Sequence, residues 1–153
     1  NAKGKVFSAF RLLARQDKLL LLQKKDSIEQ SLAELKKFGV FAKVEITQDS
    51  EHAYLAVVGE QASVKLTELF QQIPDALTPV IQVNDTTLVY LAGNISRYLI
   101  IDNSEAISTI SLFVLSSPNP LIANNKSAFL PHAALPATVL LSTPFSCVLV
   151  LIN

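Results

Sequence analysis

Hydrophobic and polar positions alternate with a period of two along the start of the chain. Val6, Ser8, Phe10, Leu12 and Ala14 fall on one face and Phe7, Ala9, Arg11, Leu13 and Arg15 on the other, which predicts a strand over 6–15. Gln16-Asp17-Lys18 is a polar break, and Leu19 to Lys25 returns as a second strand, so the two should form a hairpin. From Ser27 the period changes to that of a helix. Ile28, Leu32, Leu35 and Phe38 form one apolar side, Ser27 and Gln30 have capping-box spacing, Lys36 and Lys37 suit the last turn, and Gly39 suits a left-handed stop.

The alternation resumes over Val40–Thr47, with Val40, Ala42, Val44 and Ile46 on one face, and a more buried strand over Ala53–Val58 ends at Gly59. Ala62, Leu66, Leu69, Phe70 and Ile73 describe a second amphipathic helix closed by Pro74. Val80–Val83, Leu88–Leu91 and Tyr98–Ile101 read as three short strands, and Asn103 or Ser104 can cap a third helix. Strand pairs alternating with helices predict an α+β fold: an antiparallel sheet with helices on one face, of ferredoxin-like type.

Composition divides the chain. Residues 1–110 carry 12 basic and 13 acidic side chains, whereas 111–153 contain one charged residue, Lys126, and five of the seven prolines. A boundary is therefore placed near residue 110, between an α+β module and a charge-poor, proline-containing tail. Within that tail Ala137–Ile152 is strongly apolar, but its 16 residues include Pro144 and fall short of the roughly 20 needed to span a bilayer. It should form either a buried pair of strands or a segment unrelated to the module before it.

Candidate chemistry is sparse. Net charge is zero, which argues against a nucleic-acid or anionic-lipid surface. His52 and His132 lack further ligands at metal spacing, and Cys147 lies in an apolar run without a neighbouring base. No glycine-rich phosphate loop or nucleophile elbow occurs. Lys3-Gly4-Lys5 could receive a carboxylate or phosphate, since glycine admits close approach and two ammonium groups supply charge. Arg97 and Tyr98 open a strand where a ligand contact is conceivable.

Five blocks, in order, give the first 110 residues a family resemblance. They are Ala2-Lys3-Gly4-Lys5, Glu34-Leu35-Lys36-Lys37-Phe38 with Val40-Phe41-Ala42-Lys43-Val44, Val57-Val58-Gly59-Glu60-Gln61-Ala62, Leu69-Phe70, and Arg97-Tyr98-Leu99-Ile100 ahead of Ser104-Glu105-Ala106. Together they resemble the YgfZ family, relatives of the glycine-cleavage aminomethyltransferase. The resemblance implies a fragment of a cytoplasmic, folate-binding protein that supports iron–sulfur enzymes and, through them, tRNA modification by methylthiolation. It also implies a tetrahydrofolate-type ligand near Lys3, Gly4 and Lys5, with Arg97 and Tyr98 as further contacts.

Departures accompany the match. Asn1 stands where the family carries Asp, the family's Lys-Gly-Cys signature does not occur, and residues 111–153 look unlike the family, as a reading-frame slip near residue 110 would produce. The expected role is binding or regulation without turnover. A folate-dependent aminomethyltransferase is the enzymatic alternative, although Gly93-Asn94-Ile95-Ser96-Arg97-Tyr98 offers no acidic group to orient a reacting nitrogen. A non-catalytic interaction module is the other.

Overall fold

The computed structural model describes residues 4, 6, 8–40, 44–116, 138–140 and 145–152. Contacts divide the chain into two units, one of residues 1–52 with 142–153 and the other of residues 53–141.

The first unit is a four-stranded antiparallel sheet with one helix. Strands β1 (Phe10–Arg15) and β2 (Lys18–Lys24) form the expected hairpin, in register from Phe10↔Gln23 to Arg15↔Lys18. Its two-residue turn places Gln16 at φ 54°, a left-handed conformation reached without glycine. A single 3-10 turn, Lys25–Ser27, leads into α1 (Ile28–Gly39), and β3 (Val44–Gln48) follows. Strand β9 (Phe145–Ile152) pairs with both β2 and β3, giving the order β1-β2-β9-β3. Leu21, Ile28 and Ile46 form the core, with Leu32, Leu35 and Val44 packed against it.

Three details of α1 differ from the sequence reading. Ser27 ends the 3-10 turn, and its hydroxyl donates back to the Lys24 carbonyl at 2.9 Å, so no side-chain cap forms. Gly39 is helical and buried, so it supplies no left-handed stop; it packs close to β3, where a Cβ would lie 2.8 Å from the flexible Ile46 Cδ1 and larger side chains would not fit. Phe38 is exposed, although its spacing assigns it to the core side.

The second unit contains β4 (Ala53–Val58), α2 (Ala62–Phe70), β5 (Val80–Val83), β6 (Thr86–Tyr90), β7 (Arg97–Asp102), α3 (Ser104–Ser116) and β8 (Thr138–Leu140). All pairings are antiparallel and the order is β5-β6-β7-β4-β8. Without the extra edge strand β5, this is the ferredoxin-like arrangement, in which a strand–helix–strand unit is split by the strand between. Leu55, Val57, Leu88, Tyr98 and Ile100 share a sheet face and pack with Ala62 and Leu66 of α2 and Ile107, Ile110 and Val114 of α3. Both helices therefore cover that one face. The α+β class holds, with the strands distributed over two sheets.

The change in composition at residue 110 falls inside α3. Up to that point its exposed positions are polar: Ser104, Glu105, Ser108 and Thr109. Beyond it, Leu112 and Leu115 are exposed on the same helix.

Candidate functional site

Gly4 is exposed at φ 72°, and nothing lies within 4 Å of a Cβ built on it. The backbone there is open and left-handed, a conformation that favours glycine and lets another molecule approach. Lys3 and Lys5 lie outside the described residues. This loop belongs to the first unit, whereas Arg97 and Tyr98 belong to the second.

Arg97 is the exposed first residue of β7. Its guanidinium donates to the Ala92 carbonyl and lies over Gly93, where a Cβ would collide with it. Backbone bonds from Leu91 N to Arg97 O (2.9 Å) and from Gly59 N to Ser96 O (3.0 Å) fix the strand entry. The arginine thus combines an exposed charge with a partly satisfied fork, which suits a second, anionic acceptor. Tyr98 is only 4% exposed. Its ring stacks edge-on against Tyr90, the centroids 5.9 Å apart at 62°, and both belong to the apolar layer between sheet and helices. Burial, then the neighbouring Tyr90 and Asp75, push its phenol pKa up from the usual 10.0. Tyr98 is placed to hold β7 rather than to touch a ligand directly.

Two polar assemblies escape the sequence reading. At the end of β7, Asp102 accepts from the Thr86 hydroxyl at 2.5 Å and from Asn103 N at 2.7 Å, and the Asn103 side chain accepts from Ala106 N at 2.9 Å. These bonds anchor the start of α3 beside a cavity of about 680 Å³, lined by Phe70, Gln71, Asn84, Thr86 and Glu105 among others. Gln71 and Asn84 both have positive φ there, at 62° and 55°. Only the capping residue Asn103 was readable beforehand.

In the first unit, Arg15 Nη1 donates to His52 Nε2 at 2.6 Å, and His52 Nδ1 lies 3.0 Å from both carboxylate oxygens of Asp49. Arginine has no lone pair to offer, so Nε2 must accept and Nδ1 must carry the proton. His52 borders a turn, as its sequence context suggests, and holds that turn to β1. At the other end of the β1–β2 hairpin, buried Gln23 accepts from the hydroxyls of Ser8 and Ser31, while its Nε2 has no acceptor among the described residues. Among the described residues no cluster could hold a metal ion, and no helix is long and apolar enough to cross a membrane.

The second unit's topology and the sheet–helix pairing of the first define an antiparallel α+β protein containing a ferredoxin-like module. Sequence comparison gives the family. The tRNA-modifying protein YgfZ of Colwellia psychrerythraea is 54% identical over 111 residues, covering 72% of this chain and 34% of the relative. The proteins of that name from Yersinia enterocolitica and Yersinia pseudotuberculosis are 37% and 34% identical over 105 residues. The matched stretch of this chain belongs to the YgfZ family. The chain spans about a third of the length of the curated relatives it matches. No protein-family model matches it.

Proposed function

We propose that this chain carries part of a cytoplasmic, folate-binding YgfZ protein that supports iron–sulfur enzymes and, through them, tRNA modification. The observation that carries the reading is the 54% identity over 111 residues to a protein named as tRNA-modifying. Lys3, Gly4 and Lys5 are assigned to the ligand side of the intact protein, with Arg97 as a second cationic contact. Tyr98 serves by packing behind Arg97. A folate supplies one-carbon chemistry when bound; the ammonium groups of Lys3 and Lys5 would suit its anionic tail. No catalytic residue is assigned.

We propose that the family module ends near residue 110 and that residues 111–153 are foreign to it in origin, although α3 runs on to Ser116 and β8 and β9 pair within the two sheets. Support comes from the loss of charge in the sequence and from the switch of α3's exposed positions from polar side chains to Leu112 and Leu115. The core face of α3 continues across the break through Ile107, Ile110 and Val114, so it is the exposed face alone that changes composition there. Resequencing the encoding DNA is the direct check, and an in-frame continuation reproducing 111–153 removes this assignment.

Calorimetric titration with tetrahydrofolate tests the binding reading. The full-length Colwellia relative should bind, and Lys3→Ala with Lys5→Ala, introduced through residues 1–110 grafted into that relative, should weaken binding by about tenfold or more. This chain alone should bind weakly or not at all, because most of the site lies in the other two-thirds of the family protein. Micromolar binding by the chain alone would show that the site is misplaced.

A further inference from the structure

Gln23 is a polar residue following the apolar run of β2, yet it is only 2% exposed. It shares a face of the strand with Leu21, the face on which α1 packs. Its Oε1 accepts from the Ser31 hydroxyl of α1 at 2.8 Å and also from the Ser8 hydroxyl, so two segments of the chain meet on one buried oxygen. All three residues come from the stretch 8–31, inside the family module, and none belongs to β9.

Phe10, opposite Gln23 in the register of β1 and β2, is 53% exposed, and Leu12 on the same face is 54% exposed. The helix therefore stops short of β1 on this face, and the paired hydroxyl bonds bridge the gap through Gln23. Ser8 stands three residues after Lys5 and four after Gly4, whose left-handed backbone is open to approach. The loop is thus open at its glycine and tied at its exit.

A loop whose cations must meet an anion binds better when its geometry is set beforehand, because less ordering is left for the moment of binding. We infer that Gln23 is a positioning residue for the ligand loop: through Ser8 it ties the exit of Lys3-Gly4-Lys5 to α1. The inference rests on the assignment of that loop to the ligand side.

Two measurements test it, and the first needs no ligand. Trypsin cleavage of this chain after Lys5, read by intact mass, requires the residues flanking that bond to open, Ser8 among them. Losing a hydrogen bond should raise the open population about fivefold in Ser8→Ala and in Gln23→Leu, relative to cleavage after Lys37 in the last turn of α1. Ser27→Ala, which removes a hydroxyl bond from the same unit but not from Gln23, should leave the rate unchanged. An unchanged rate in Ser8→Ala overturns the inference, whatever the loop binds.

The second is calorimetric titration of the graft of residues 1–110 into the Colwellia relative with tetrahydrofolate. Ser8→Ala should weaken binding about fivefold, and should add nothing once Lys3→Ala and Lys5→Ala are present, because it acts through them. An additive loss overturns positioning, since a general weakening of the fold would persist in both backgrounds. Full affinity in Ser8→Ala beside a loss in the lysine pair also overturns it, and leaves the loop assignment standing. Full affinity in the lysine pair, or no binding by the graft at all, overturns the loop assignment and the positioning role with it.

Discussion

Replacing Thr86 by Val removes one hydroxyl and keeps the side chain's shape, which isolates the bond to Asp102. Both residues are buried, and Asp102 is 4% exposed. The carboxylate has two described donors, the Thr86 hydroxyl and Asn103 N, so one of the two is lost. A hydrogen bond to a charged group contributes about 1.5–3 kcal/mol, and a buried carboxylate deprived of a donor retains its desolvation cost. The expected destabilisation of Thr86→Val is therefore about 2 kcal/mol. In an Asp102→Asn background the same replacement should cost roughly half as much, because the acceptor is neutral, giving a coupling of about 1 kcal/mol. The chain lacks tryptophan, so urea unfolding is best followed by far-ultraviolet circular dichroism. A change in midpoint at constant slope reads stability directly. A Thr86→Val chain within about 0.5 kcal/mol of the parent would refute the view that this bond anchors α3.

Other expectations follow the same physics. Asn103→Ala removes the side-chain acceptor at the start of α3 and should cost about 1 kcal/mol in the same assay. Gly39→Val should destabilise by about 1–3 kcal/mol through collision with Ile46, whereas Gly39→Ala should lie near neutral, since improved helix propensity offsets displacement of the flexible Ile46 Cδ1. Tyr98, with its folded pKa above 10.0, stays protonated where the unfolded chain ionises. Its contribution is complete below that pH and is lost as pH rises through the folded value, so stability should fall in that alkaline window and fall less in Tyr98→Phe. His52→Ala removes a bond from each of Arg15 and Asp49 and should cost about 2 kcal/mol, measurable by thermal unfolding.

Elements bounded by strong punctuation were readable from sequence. Ala53–Val58 before Gly59 and Val80–Val83 before Asn84 match the structure residue for residue, because an apolar run between turn-formers leaves little choice of register. The ends of α1 were not readable, since tertiary contacts decide them: Ser27 bonds backward to Lys24, and Gly39 answers to Ile46 across the sheet. Nor could alternation in β1 reveal that α1 stops short of Phe10 and Leu12; period gives a face but not what covers it. At the candidate site, Lys3-Gly4-Lys5 showed a cationic, glycine-opened loop. The buried placement of Tyr98 follows from its register opposite Tyr90 and Val57, which is a property of the assembled sheet.

The central claim is that residues 1–110 are a working third of a YgfZ protein. The direct measurement is mass-spectrometric quantification of methylthiolated tRNA in a bacterium lacking its own YgfZ protein, supplied with the Colwellia protein whose corresponding third is replaced by residues 1–110 of this chain. The account predicts modification restored to the level given by the unaltered Colwellia protein, and lowered again by Lys3→Ala with Lys5→Ala. A graft that accumulates as folded protein yet leaves the tRNA unmodified would contradict it.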